Sequence, residues 1–484
     1  MLGLLGIVLA LVLLITLAYR GHSVLVAAPI AALVAVVFAG GPLLASYTQV
    51  FMPALGKFIV GFFPLFLAGA VFGKLMASTG YAMAIARWIT GLIGARRAIL
   101  ATVLTGTVLT YGGISVFVVA FGLFPIAYEL FRQADIPRRL IPAAIAMGAF
   151  TYAMSALPGS PQVQNTIPTR YFGTDAFAAP LLGVFAAVVM FAVGMAWLSF
   201  RARQAARRGE GFETTWTGGG MAGELRGEED HLTEDTAHLE QESARAARTR
   251  HGRPDPPVAL AAVPLLIVIL VNLALSRWIL PTLDFGYLAE EQWGATTLTS
   301  VIGLWSVFVA LVTAVAFVLL VNLRRVRVLV EDLHQGAKDA VLPVFSTASE
   351  VGFGAVIASL PAYALVRDAL LGVSSNPLVT ASLATTSLAG ITASASGGLS
   401  IALETLGADM LASAQAAGIS PEALHRVASI ASGGLDTLPH SGAVITLLLI
   451  TGMSHRESYK DVAMVTVVGP LLATALVVVA AAAL

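Results

Sequence analysis

Apolar residues run along this chain in long blocks, and the blocks are interrupted by glycine, proline and a few polar residues rather than by polar domains. Leu2–Tyr19 and Ser23–Gly40 are two such runs separated by Arg20 and His22, and Lys57–Ser78 is a third. Each has the 18 or more apolar positions that predict a membrane-crossing helix. Tyr81–Gly94 is shorter and amphipathic and carries Arg87. Ala98–Phe131 spans 34 residues with Tyr111-Gly112-Gly113-Ile114-Ser115 near its middle. As helix it would be roughly 50 Å long, too long for one crossing and short for two. A re-entrant hairpin of two half-crossings, its tip near the midplane, fits that length. Leu140–Gly159 is an apolar span that breaks at Ser155-Ala156-Leu157-Pro158-Gly159-Ser160-Pro161, and Phe177–Phe200 crosses back.

The same order recurs after residue 256: Val258–Ser276, Thr299–Val321, Asp339–Leu360, Pro377–Leu411, Val427–Gly452 and Val462–Leu484. Phe72-Gly73, Ala77-Ser78 and Leu157-Pro158 match Phe353-Gly354, Ala358-Ser359 and Leu438-Pro439 at an offset of 281. Gly112-Gly113-Ile114-Ser115 matches Gly397-Gly398-Leu399-Ser400 at 285. The second break, Ser432-Gly433-Gly434-Leu435-Asp436-Thr437-Leu438-Pro439-His440-Ser441-Gly442, sits inside an apolar run longer than one crossing needs. Helix-breaking backbone at that depth is tolerated only where protein or a water-filled cavity satisfies the freed groups. The expected fold is an all-α polytopic membrane protein of two inverted-topology repeats, each with a re-entrant helical hairpin and a broken transmembrane helix. The expected domains are residues 1–200, a disordered polar linker at 201–256, and residues 257–484.

Composition agrees: 57% of the residues are hydrophobic and 12% charged, with a mean hydropathy of +0.84, which excludes an ordinary soluble domain and a barrel of alternating strands. The formal net charge of +0 gives no sign of nucleic acid as a partner. There is no cysteine, hence no disulfide or thiol chemistry, and no phosphate-binding GxxxxGK[ST] loop to drive an ATP motor. No cofactor is expected. The first run lacks a basic segment before it and a small-residue cleavage pattern after it, so it reads as a retained helix. His231, His238 and His251 in the linker match no metal-ligand spacing and read as solvated.

Basic residues set the orientation. Arg324, Arg325 and Arg327 precede the third span of the second half, whereas residues 41–56 hold no Lys or Arg. Arg96, Arg97, Arg132, Arg138 and Arg139 bracket the first hairpin, whereas residues 372–376 before the second hold none. The swap is what inversion requires. With Arg201, Arg203, Arg207 and Arg208 inside, the linker is cytoplasmic, the N-terminus outside, the first hairpin enters from the cytoplasm and the second from outside.

Two hairpins facing two broken helices describe a secondary transporter, not an enzyme, with its site at the repeat interface. Half-helix N-termini attract an anion and nearby hydroxyls add donors, so the expected ligand is a small carboxylate. The substrate-binding candidates are Gly112, Gly113, Ser115, Ser155, Ser160, Gln162 and Asn165 in the first half. In the second they are Ser394, Ser396, Gly397, Gly398, Ser400, Thr437, His440 and Ser441. Thr380, Ser382, Thr385, Thr386, Ser387 and Thr392 higher on the second hairpin read as helix–helix packing. Asp436, His440, Glu404 and Glu350 are the candidates for proton coupling; Asp436 reads equally as an N-cap, and Lys74 as a snorkelling side chain. A sodium-coupled carboxylate symporter is the alternative, since broken-helix carbonyls also suit Na⁺. An intramembrane serine hydrolase built on Ser400 and His440 is disfavoured, because the matching tip in the other half has a serine and no histidine. The two-fold pattern concerns one chain and leaves a homodimer open.

At Gly112-Gly113-Ile114-Ser115, Ala156-Leu157-Pro158-Gly159-Ser160-Pro161, Gly397-Gly398-Leu399-Ser400 and Asp436-Thr437-Leu438-Pro439-His440-Ser441 the chain resembles the gluconate permease family of the ion transporter superfamily. The resemblance implies proton-coupled import of sugar acids or related hydroxy acids through the inner membrane. Sugar-acid members carry a histidine-led, proline-rich run at the first break, where this chain has Met154-Ser155-Ala156-Leu157-Pro158. That departure brings in a smaller anion such as 3-hydroxybutyrate beside gluconate.

Overall fold

The computed structural model describes residues 2–19, 23–212, 256–439 and 441–482, and every regular element in them is helical. The first repeat opens with α1 (Leu2–Tyr19) and α2 (Val24–Ala39), two short apolar helices, followed by α3 (Leu43–Ser78). Next comes the amphipathic α4 (Tyr81–Ile93), then the hairpin arms α5 (Ala98–Tyr111) and α6 (Val116–Gln133). The broken span is α7 (Ile141–Ala149), the single turn α8 (Tyr152–Ser155) and, beyond the break, α9 (Val163–Phe172). A crossing helix, α10 (Pro180–Arg207), closes the repeat.

The second repeat has the same order. It runs through α11 (Val258–Ala274), α12 (Leu298–Val321), the long α13 (Val326–Ser359) and the short α14 (Tyr363–Leu371). The hairpin α15 (Pro377–Thr392) and α16 (Ala395–Ala416) follows, then the broken span α17 (Pro421–Ser432) and α18 (Gly442–Thr451), and last α19 (His455–Ala482). Among the described residues 6 helices are long and apolar enough to cross a membrane, 7 if the bent α4–α5 pair is one span. That pair turns through 97° at Gly94, whose φ of +78° suits glycine, so α4 lies across the direction of the hairpin. The 14 residues of α5 reach about 21 Å, short of a hydrocarbon core of ~30 Å, as a half-crossing should.

Cross-packing shows the inversion. α9 rests on α16 and α17 of the other repeat, while α18 rests on α6 and α7. The second half of each broken span therefore lies beside the first half of the other, so the two spans run antiparallel. The long helices obey the same exchange: α3 and α13 pack together, α12 lies on α3, and α2 lies on α13. Neither repeat encloses a core by itself.

Several boundaries differ from the apolar runs. α3 begins at Leu43 rather than Lys57, with a π-helical turn at Ser46–Phe51, and α13 begins at Val326 rather than Asp339. Helical hydrogen bonding continues through polar turns that an apolar window discards. The linker expected from 201 starts later. α10 continues to Arg207, and the chain then folds back so that buried Phe212 donates its amide to Asp135 Oδ1 at 2.8 Å. The remainder of the linker, with His231, His238 and His251, lies outside the described residues.

The repeats are tied by charge at both ends. At one end Asp461 accepts Arg201 Nε at 2.7 Å, Arg139 Nη1 at 3.1 Å and Trp197 Nε1 at 2.9 Å. At the other, Arg277 pairs with Asp175 at 3.1 Å.

Candidate functional site

Each hairpin tip is stapled to the break of its own repeat. Gln162, the residue before α9, donates Nε2 to the carbonyls of Thr110 at 2.8 Å and Ile114 at 3.2 Å, and Tyr111 donates to Pro158 O at 2.7 Å. In the second repeat Ser441, the residue before α18, donates Oγ to Ala393 O at 3.1 Å. Gln162 to Ser441 and Ile114 to Ala393 are both offsets of 279, so the two staples are one interaction written twice. The breaks also touch each other: Ser429 donates to Ser155 O at 2.7 Å, and a Cβ on Gly433 would lie 3.5 Å from Ser155 Oγ.

The staples bring helix N-termini together in pairs, α6 with α9 and α16 with α18. Ser394 caps α16 by accepting Gly397 N at 3.0 Å, whereas α6, α9 and α18 have no side-chain cap. The first amides of an uncapped helix lack intrahelical partners and carry the positive end of its dipole. An anion is the ligand that such amides accept.

Glu350 and Asp436 are buried carboxylates of the second repeat. Glu350 on α13 is buried against the first turn of α16, where a Cβ on Gly397 would overlap its carboxylate. Asp436 lies in the second break. Glu350 Oε2 and Asp436 Oδ1 are buried and accept no hydrogen bond among the described residues. The hydroxyls of Thr110, Thr385 and Ser400 are likewise buried without a partner there. A buried polar atom without a partner is rare in a folded interior and calls for a proton, water or ligand to complete it.

No protein-family model matches the chain. An uncharacterised transporter of Bacillus subtilis (strain 168), YxjC, is 43% identical over 473 residues, which is 96% of this chain and 95% of its own. The chain belongs to that transporter family. A solved structure, the YdaH transporter of Alcanivorax borkumensis, aligns with 88% of this chain and 86% of its own at 17% identity and a TM-score of 0.49. With its membrane-length apolar helices and its 43% identity to that transporter, the chain is a multi-pass membrane protein of a transporter family.

The sequence-derived residues divide by what they touch. Gly112, Gly113 and Ser115 form the first tip, with Gly113 at φ +94° and Gly112 closed over by Leu265. Ser394, Ser396, Gly397, Gly398 and Ser400 stand at and just past the second. The glycine pairs are not equivalent in space, because the N-cap positions Ser115 and Ser394 correspond at 279. This corrects the alignment at 285: one pair makes a turn, the other lies in the first turn of α16. There Gly398 lets the arms close, since a Cβ would overlap the Ala389 backbone.

Other candidates are bonded into the frame. Ser160 donates to Ala153 O at 2.9 Å, Ser155 to Thr151 O at 3.3 Å, and Thr437 to Thr466 Oγ1 at 2.8 Å. Asn165 donates to Ser160 O and Ala176 O at 2.8 and 2.9 Å. Glu404 lies apart from the tips. It accepts Tyr171 Oη at 2.8 Å and Lys57 Nζ at 3.4 Å, beside a cavity of about 300 Å³ that Arg170 and Phe62 also line. His440 lies outside the described residues.

Arg426 escaped the apolar reading. It is fully buried in the second turn of α17, six residues past Ser420. The apolar window opened at Val427. The signal was present in Ser420-Pro421, a cap followed by an N1 proline, which starts the helix before the polar pair His425-Arg426.

Proposed function

We propose that this chain is a proton-coupled symporter of a small organic anion, a sugar acid or hydroxy acid such as gluconate or 3-hydroxybutyrate, across the cytoplasmic membrane. The observation that carries the reading is the presence of three uncapped helix N-termini at the stapled tips and breaks beside two buried carboxylates, each with one oxygen that accepts no hydrogen bond among the described residues. The amides bind the substrate carboxylate, and the gluconate permease resemblance supports the substrate class. Two like charges ~5 Å apart at an effective dielectric of ~20 repel by about 3 kcal/mol. Protonating Glu350 or Asp436 removes that repulsion, so the anion and the proton bind together. The repeats then exchange access around the stapled tips, with the linker and the first hairpin on the cytoplasmic side.

Uptake of labelled gluconate and 3-hydroxybutyrate into proteoliposomes tests this. An inward proton gradient drives accumulation in the wild type. Asp436→Asn or Glu350→Gln abolishes accumulation while leaving counterflow exchange. Accumulation that survives both substitutions places the proton elsewhere. Accumulation that needs sodium, and is lost in choline, replaces the reading with a sodium-coupled carboxylate symporter.

A further inference from the structure

Arg426 is a buried cation held by uncharged oxygens. Nε donates to Ala178 O at 3.0 Å, and Nη2 to Ala178 O at 2.8 Å and Ala176 O at 3.3 Å. Nη1 donates to Asn165 Oδ1 at 2.7 Å, Ala156 O at 3.2 Å and Ser155 O at 3.5 Å. Every acceptor belongs to the first repeat, and among the described residues these are its hydrogen-bond partners. The nearby Asp175 carboxylate is taken by Arg277. Gly183 on α10 makes room for the guanidinium, since a Cβ there would overlap Ala156 O and stand 3.1 Å from Nε.

Carbonyls at the first break and in the connection from α9 to α10, with one side-chain amide oxygen, form a ligand set for a hard metal cation, and broken helices in transporters hold coupling ions with such carbonyls. We infer that Arg426 is a resident cation that takes the place of a coupling metal ion at the first break. The repeat comparison supports the assignment. Aligned on Pro142 and Pro421 (421 − 142 = 279), Arg426 corresponds to Met147 (426 − 279). The first repeat sends no such charge to the second break, where Asp436 stands instead. One break therefore carries a fixed positive charge and the other a carboxylate, and ion exchange is confined to the second. This deepens the symport reading above and rests on it for its transport consequence.

The test uses full-length protein and the repeat's own residue, Arg426→Met, which keeps the length of the side chain and empties the cage. Wild-type Tm in detergent is unchanged when choline chloride is replaced by sodium chloride. Arg426→Met gains about 2 °C or more from sodium or from methylguanidinium, because a ligand that binds only the folded state raises Tm. In proteoliposomes its uptake falls several-fold in choline and recovers with either cation. A folded Arg426→Met whose Tm and uptake ignore both cations overturns the inference, as does a sodium-stabilised wild type. Arg426→Lys, which keeps the charge, is the second variant should Arg426→Met not fold. Its Tm is expected to ignore sodium, and a sodium-dependent rise overturns the inference. Tm reads the cage directly, so a wild type that transports neither acid sinks the symport reading and leaves this result standing.

Discussion

Gly397 and Gly398 are neighbours in sequence and serve different partners. A Cβ on Gly397 would meet the Glu350 carboxylate, whereas a Cβ on Gly398 would meet the backbone of Ala389 on the facing arm. Backbone cannot move aside as a side chain can. Gly398→Ala is expected to lower stability by about 1–3 kcal/mol, the usual cost of overpacking, read as a fall in Tm. Gly397→Ala is expected to displace Glu350 and remove most gradient-driven uptake with a smaller loss of Tm. Equal Tm losses in the two variants would show that Glu350 occupies that contact only as packing. The residue types at the tips were legible in the sequence. Their division of labour was not, because it is set by Glu350 on α13, which comes from elsewhere in the chain, and by how closely the arm α15 packs on α16.

At the scale of elements, each hairpin depends on a staple from its own broken span. Ser441→Ala removes the bond to Ala393 O and Gln162→Ala removes those to Thr110 O and Ile114 O. A buried carbonyl left without a donor costs about 1–3 kcal/mol; this applies to Ile114 O, whereas Thr110 O keeps the Gly113 amide at 3.0 Å. Each variant is expected to speed hydrogen exchange at its own tip, residues 110–116 or 391–398, and to leave the other tip unchanged. Exchange that rises at both tips would mean that the two staples act as one unit. Glu404 shows how an element changes the meaning of a residue. Its place on α16 made it a candidate for proton coupling, and α3 and α9 supply Lys57 and Tyr171 to it.

At the scale of the whole molecule, the repeats are held together by exchange of helices and by buried charge. Asp461 is 1% exposed and joins Arg139 and Arg201 of the other repeat, which are 13% and 15% exposed. Asp461→Asn leaves Arg201 without a carboxylate partner among the described residues and Arg139 with Glu210 alone, in a nearly dry place. The expected loss of stability is about 3 kcal/mol, toward the lower end for a broken buried pair because the arginines retain some solvent. Thermal unfolding in detergent at low and high salt measures it. A Tm within error of wild type would show that Trp197 and the helix packing hold this end without the ion pair.

The sequence by itself determined the membrane class, the order of elements, the hairpins, the breaks and the two-fold repeat. Those follow from local chemistry: apolar runs seek lipid, glycine and proline end helices, and charge selects a side. The tertiary structure alone decided which carboxylate oxygens stay unpartnered, that Asn165 and Ser155 face a guanidinium, and that the first break is filled by Arg426. Glu350 is placed by Gly397 of its own repeat, and the Arg426 contacts join the two repeats across 248 to 271 residues. No local pattern encodes a contact at that separation, because it exists only once the antiparallel spans have packed.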